Sequence, residues 1–225
     1  MKKIRDSYIL FFKNRAFLTS LAVSFIMLFT AFFINFYAGV YATEHASNPV
    51  TDIVLNNIRV YDVDAIFVYG ALVFWGFFII VALLRPQKIP YSLKAISLFI
   101  LIRSLFISLT HIGPFPTQIA LTVNTIISKF SFGADLFFSG HTGLPFLLAL
   151  IFWDTPRLRY IFIGTSIMFA AVVLLGHLHY SIDVLSAYFI TFTIHHIAEK
   201  LFKKDKEFFS STIEDQQQMP LLAND

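Results

Sequence analysis

Several stretches of this chain run for about 18 residues or more with few or no charged side chains, the length an α-helix needs to cross hydrocarbon. No other feature restricts the fold as strongly. A bilayer core holds no water to pair with backbone N–H and C=O groups, so an apolar segment entering it must pair them internally, as a helix. The sequence places six such spans, at residues 16–42, 64–84, 93–110, 136–153, 158–175 and 180–198. Arg85-Pro86 ends the second. A turn with Gly113, Pro114 and Pro116 stops the third, and Asp154-Thr155-Pro156 stops the fourth, as expected where proline removes a helical N–H. The first span is far longer than the ~7–15 apolar residues of a cleavable signal, so it reads as a permanent helix. The expected fold is an all-α integral membrane protein. It has a basic head at 1–15, a six-helix transmembrane domain at 16–200 and a tail at 201–225, disordered from about Phe208 in its Ser-, Glu-, Asp- and Gln-rich stretch.

Composition agrees. Hydrophobic residues make up 57% of the chain and charged residues 14%, against ~45–50% and ~25% in ordinary globular domains. The 28 Phe residues suit a lipid-facing or packing surface rather than a cofactor site. The chain has no cysteine, which excludes disulfides and thiolate chemistry.

The isoelectric point of about 9.1 would suit a nucleic-acid binder, but the placement of the charges argues for topology instead. Lys2, Lys3, Arg5, Lys13 and Arg15 precede the first span. Arg85, Lys88 and Lys94 fall in the second loop, Arg157 and Arg159 in the fourth, and Lys200, Lys203, Lys204 and Lys206 after the sixth span. Arg59 and Lys129 alone occupy the other loops, and Arg103 lies inside the third span. Lys and Arg concentrate on the cytoplasmic side of membrane proteins, so both termini are expected there. The starts of spans four and six, the end of span three and the loop between spans one and two then share the opposite side. Almost all the polar residues that could do chemistry converge on that outer interface.

Two segments on that side carry histidine: Ser139-Gly140-His141-Thr142 and His179-Tyr180-Ser181-Ile182-Asp183. Neutral imidazole is a good nucleophile near pH 7, its unperturbed pKa being ~6.5. His179 and Asp183 stand at i and i+4, which on a helix puts them on one face. Asp183 can then orient the His179 ring. His141 is the natural second histidine, a general acid for a departing alcohol. Ser139 and Gly140 allow backbone to approach a phosphate, and the first free N–H groups of a helix starting there attract anions. A charge inside a span costs ~2.5–3.5 kcal/mol on insertion scales and marks function by default, so Arg103 is a candidate phosphate ligand; its structural alternative is an ion pair with a carboxylate. Asp135, His177, Thr142 and Tyr180 flank these groups as candidate supporting residues. A metal centre built from His141, His177, His179 and Asp183 is the competing arrangement, but it leaves no nucleophile with a defined role. No metal or cofactor is expected. His45 and His111 read as interfacial polar residues, and His195-His196 as unrelated to the site.

The motifs resemble the type 2 phosphatidic acid phosphatase superfamily, in particular its sphingomyelin synthase-related branch. The segment G-A-D-L-F-F-S-G-H-T at 133–142 is similar to that branch's C-G-D-x-x-x-S-G-H-T. The run H-L-H-Y-S-I-D-V at 177–184, followed by A-Y-F-I-T at 187–191, resembles H-x-H-Y-[ST]-x-D-V…A-Y-[YF]-I-T. Arg103-Ser104 through Thr110, Pro114 and Pro116 resembles R-[SR]…T…P-x-P, and Pro49 with Asp52 falls where the branch has P-P-L-P-D. The resemblance implies six helices and metal-independent transfer through a phosphohistidine, with His141, His179 and Asp183 as the triad. Gly133 stands in place of the cysteine, and 48–52 is a degenerate first motif, which bears on substrate choice. A second branch's K-x6-R-P motif is matched at Arg85-Pro86, but Phe78 replaces the lysine and the segment falls on the wrong side, where it serves as a helix stop.

These residues lead to a membrane enzyme that acts on a phospholipid or sphingolipid. A lipid phosphatase or phospholipase C-like hydrolase is favoured by the short chain. One alternative is a phosphocholine or phosphoethanolamine transferase to ceramide or diacylglycerol. Another is a non-catalytic lipid-binding protein. The same triad serves water and alcohol acceptors, so its residues do not separate the first two. The sequence leaves the head group and the oligomeric state open.

Overall fold

The structure, a computed structural model, describes residues 2–119 and 135–210. Gly133, Ala134, Lys129 and the tail from 211 lie outside the described residues. Among the described residues eight helices follow one another: α1 (Lys2–Lys13), α2 (Arg15–Glu44), α3 (Asp64–Leu84), α4 (Ile89–Leu109), α5 (Gly140–Ile151), α6 (Pro156–Leu175), α7 (Ser181–Leu201) and α8 (Lys203–Ser210). A 3₁₀ turn, Pro86–Lys88, leads from α3 into α4. No strand occurs among the described residues.

Local chemistry sets most of these boundaries. Asn14 caps α2, its side chain accepting the N–H of Ala16 at 2.9 Å and of Phe17 at 3.2 Å, which satisfies two of the helix's orphan donors. The basic head before it is itself helical, as α1. Prolines open α4 and α6, where the missing N–H costs nothing. Lys203–Ser210 continues as α8, so the described part of the tail is ordered as far as Ser210. Its order comes from Asp205, which is buried against α2 and α4.

Four segments are long and apolar enough to cross a membrane: α2, α3, Pro86–Leu109 and α6. The remaining two expected spans differ. Residues 136–139 are not helical, and α5 has only 12 residues, about 18 Å at 1.5 Å per residue, short of a ~30 Å hydrocarbon core. The helix starts late because Ser139 takes an extended conformation (φ −61°, ψ 115°) and caps α5 through the Thr142 N–H. α7 has 21 residues, but Asp183, Glu199, Lys200 and two histidines dilute its apolar character.

The core is assembled around α4, α5 and α7. Phe99, Phe138, Leu147, Leu148, Phe162 and Ile194 form its fully buried centre. Gly143 permits the close approach there, since a Cβ on it would stand 2.7 Å from the Phe99 ring and 2.8 Å from Thr191 Oγ1. α2 packs along α4 and turns Phe25, Ile26, Phe29, Phe32 and Phe33 outward, all exposed. In a soluble chain that face would be an aggregation hazard; on a membrane helix it is the lipid surface.

The two ends of the bundle differ in kind. At one end the loops are laced by backbone bonds: Ser47 N–H donates to His111 O at 2.8 Å, Gly113 N–H to Asn48 O at 3.3 Å and Tyr61 N–H to Leu175 O at 2.8 Å. At the other end lie α1, α8 and the 3₁₀ turn. There Lys94 Nζ is buried, 2.7 Å from Asp205 Oδ2 and 3.0 Å from Ser20 Oγ. Lys94 is therefore a lysine inside α4 that ties α8 to the bundle. It is not the exposed loop anchor its place in the sequence suggested. The first and last of the described helices share one end.

Candidate active site

The site is built at the end where the loops are laced. Its foundation is the turn between α6 and α7. Gly176 ends α6, and His177 takes φ 52°, the left-handed region in which His, Asn and Asp are enriched among non-glycine residues. That conformation reverses the chain and delivers His179 and Tyr180 to the start of α7. His177 is buried and shares a 2.6 Å hydrogen bond with Thr117 Oγ1 through Nδ1.

His179 and Asp183 do meet, but not as two positions on one helical face. α7 begins at Ser181, so His179 lies in the turn before the helix. Asp183, in the first turn, reaches back across the helix start. Its Oδ2 accepts the Tyr180 N–H at 2.9 Å and lies 3.4 Å from His179 Nδ1. Asp183 is fully buried, and the helix N-terminus favours its negative charge. The 3.4 Å separation is long for a hydrogen bond; such contacts commonly tighten when substrate is bound. With Nδ1 toward Asp183, Nε2 is the nitrogen left outside that contact.

The Ser139–Thr142 segment is stitched onto this turn. Ser139 donates its backbone N–H to Asp183 O at 3.2 Å and is itself fully buried. His141, half-buried in the first turn of α5, packs its ring 4.0 Å from that of Phe67 and 5.5 Å from that of Phe169. His179 and Arg103 both act on it electrostatically. Pro145 sits four residues after His141 and lacks the N–H that would bond the His141 carbonyl. Thr142 is buried, and its carbonyl accepts the Ser166 hydroxyl at 2.7 Å, so this residue packs into the bundle.

Arg103 rises from α4 to the same segment. Its Nε donates to Phe138 O at 2.8 Å, and its Nη2 to Asp135 O at 2.5 Å and to Asp135 Oδ2 at 3.1 Å. The structural alternative, an ion pair with a carboxylate, is the one seen. Arg103 is ion-paired with Asp135, and it also lies directly beneath the SGHT turn, where a Cβ on Gly140 would stand 3.3 Å from Nε. Among the described residues Nη1 carries no hydrogen bond. The guanidinium braces the segment while keeping a positive charge at the mouth of α5.

Several placements could not be seen beforehand. Asp52, in the loop after α2, is buried and bonds to Ser181 at the start of α7. Its sequence signal was its place where the resembling branch has the acid of P-P-L-P-D. Tyr180, fully buried, donates its hydroxyl to Gly113 O at 2.8 Å and accepts the Val50 N–H at 3.2 Å, so it locks two loops together beside the site. Phe67 supplies the wall behind His141. His45 and His111 are at this end too, grouped with the Tyr41 ring. His195 and His196 lie at the far end, lining an open cleft of about 400 Å³ with Tyr91, Glu199 and Lys206. Among the described residues no three of His, Asp and Glu are grouped so as to hold a metal ion.

The arrangement therefore offers an oriented imidazole, a second imidazole, a guanidinium and the N-termini of two helices at one end of an apolar bundle. Compared with known proteins, residues 133–200 match the family model described as PAP2 superfamily C-terminal. That segment contains Ser139, Gly140, His141, His179 and Asp183, while Arg103 and Asp52 lie before it. No curated protein and no solved structure matches the chain.

Proposed function

We propose that this chain is a multi-pass membrane enzyme that transfers phosphoryl groups of lipids through His179, with its site at the outer interface. The observation that carries the reading is the joining of the His179–Asp183 pair to the Ser139–Thr142 segment, through the Ser139 N–H at 3.2 Å from Asp183 O. The likeness of residues 133–200 to a phosphatase superfamily model supports the same chemistry, and the clustering of Lys and Arg toward the end holding α1 and α8 supports the sidedness.

His179 Nε2 attacks the phosphorus of a lipid phosphomonoester or phosphodiester. The bond to the lipid oxygen breaks with its electron pair, and His141 gives that oxygen a proton. Asp183 holds the Nδ1 proton and offsets the positive charge that grows on the ring. Arg103 Nη1 and the free N–H groups of α5 face the equatorial oxygens, where charge develops. In the second half His141, now neutral, takes a proton from the acceptor, and the acceptor oxygen displaces the phosphohistidine. Water as acceptor makes a lipid phosphatase or phospholipase C-like hydrolase, the reading we favour. Ceramide or diacylglycerol as acceptor makes a transferase of the sphingomyelin synthase kind.

The test is turnover of labelled phosphatidic acid, phosphatidylcholine and phosphatidylethanolamine by purified protein in vesicles, with and without ceramide or diacylglycerol. Release of phosphate or phosphorylated head group, lost in His179→Ala, identifies a hydrolase. A new phospholipid that needs the acceptor identifies a transferase. Equal turnover by wild type and His179→Ala would refute the mechanism, and no turnover of any lipid would favour a lipid-binding protein.

A further inference from the structure

The loop between α2 and α3 contributes one side chain whose bonds end on the catalytic turn. Asp52 Oδ2 accepts the Ser181 N–H at 2.7 Å and the Ser181 hydroxyl at 2.8 Å. Its Oδ1 accepts the N–H groups of Val54 at 2.8 Å and Leu55 at 3.0 Å. Four donors thus converge on one carboxylate that is 6% exposed. Ser181 is the first residue of α7, two residues after His179 and two before Asp183. Its N–H is one of the orphan donors that every helix start presents. Asp183 lies on the same turn and already bonds the neighbouring N–H, that of Tyr180. Two carboxylates therefore share one helix start, and two adjacent N–H groups are divided between them.

Resting on the reading of His179 as nucleophile, we propose that Asp52 is a positioning residue. By occupying both donors of Ser181, it keeps Asp183 on Tyr180 N–H and on the His179 ring. Without Asp52 the Ser181 N–H is a half-buried, unpaired donor beside a carboxylate. Asp183 can rotate to bond it, and leaves His179 Nδ1 in doing so. The loop then serves the reaction from a distance: it touches neither the ring nor the phosphate, yet it decides which tautomer the ring holds.

The idea predicts a rescue. Ser181→Pro removes the competing N–H, and the site suits proline, because it is the first helical position and Tyr180 before it is extended (φ −70°, ψ 156°), as a residue preceding proline should be. Full-length protein labelled with ¹⁵N-histidine is compared as wild type, Asp52→Ala and Asp52→Ala/Ser181→Pro, with the His179 signals assigned by their loss in His179→Ala. Wild type should show a single tautomer protonated at Nδ1. Asp52→Ala should show both tautomers in exchange, and the double variant should return to one. In the lipid assay kcat of Asp52→Ala should fall about 10²-fold, the cost typical of a misplaced catalytic group, with KM little changed, and the double variant should regain about 10-fold or more. Should Asp52→Ala not fold, Asp52→Asn replaces it, since the amide keeps an acceptor for Val54 and Leu55 but presents N–H groups to Ser181. If wild type turns over no lipid, the proposed function fails, and the ring signals alone still decide the role of Asp52. A wild-type pattern in Asp52→Ala, or no recovery in the double variant, overturns the proposal.

Discussion

The ion pair at the far end of the bundle makes a sharp energetic prediction. Lys94 and Asp205 side chains are 10% and 9% exposed and 2.7 Å apart, and Ser20 donates its hydroxyl to the same carboxylate. The Lys94 ammonium also lies 5.8 Å from the centre of the Phe202 ring. At an effective dielectric of ~20 the Coulomb attraction between the two ions at 2.7 Å is about 6 kcal/mol. Desolvating two ions costs several kcal/mol each, so the pair as a whole contributes little net stability. Removing one partner is different, because the attraction goes while the other ion stays buried. Asp205→Ala and Lys94→Met should therefore each cost about 3–5 kcal/mol, whereas the apolar pair Lys94→Met/Asp205→Leu should fall within about 1 kcal/mol of wild type. For a chain of this size each kcal/mol moves the unfolding midpoint by roughly 2–4 °C, so the single variants should melt about 6–20 °C lower in detergent. Limited proteolysis gives an independent reading, since α8 should become cleavable in both single variants and stay protected in the double. Single variants that melt within about 2 °C of wild type, the behaviour of an exposed pair, would refute the burial of Lys94 and the docking of α8.

Four further outcomes follow from the geometry. Asp183→Asn should keep the fold yet lower kcat by roughly 10⁴-fold, as loss of the orienting carboxylate does in triads, read in the lipid assay. Arg103→Lys should lose at least one of the guanidinium's three bonds, because an ammonium cannot span Phe138 O and Asp135; a loss of about 1.5–3 kcal/mol per charged bond would appear in both the melting midpoint and kcat. Gly143→Ala should overpack the contact with Phe99 and Thr191 and cost about 1–3 kcal/mol, measured by thermal unfolding. Asp52 gives a pH prediction. Burial acts to raise its pKa, but the hydrogen bonds from Leu55, Ser181 and Val54 outweigh it, and the carboxyl titrates below its ordinary value of 3.8. A lowered folded-state pKa contributes stability above the unfolded value and loses it as pH falls through the folded one. Wild type should therefore lose stability below about pH 4, and Asp52→Asn should be the less steep of the two over that acid range.

How much of this was legible in the chain can be read from particular residues. α3 was bounded correctly at Asp64 and Leu84, because a long uncharged run ends at Arg85-Pro86 and both signals are local. The pairing of His179 with Asp183 was legible from a spacing of four, though the geometry that achieves it is a capping turn rather than a helical face. α5 was read too long, because hydropathy continues through Leu136–Ser139 while the start at Ser139 is set from other helices, by Asp183 O on the Ser139 N–H and by Arg103 on Phe138 O. Lys94 was misread as a loop anchor, since its partner, Asp205, is 111 residues away. Asp52 stood out only as the acid of a degenerate motif, and its partner Ser181 is 129 residues away.

By itself the sequence determined that the chain is helical and suited to a membrane, since backbone groups in hydrocarbon can be paired only within the segment that carries them. It also determined which residue types could carry phosphoryl transfer. Only the tertiary structure decided that the loop from Asn48 to Val63 is part of the site's support, that Arg103 holds the segment before α5, and that α8 is latched by a buried charge pair. Each of those rests on a few contacts between residues far apart in the chain. Such contacts leave no periodic trace, because a single hydrogen-bonded or ionic partner constrains one position and not a pattern.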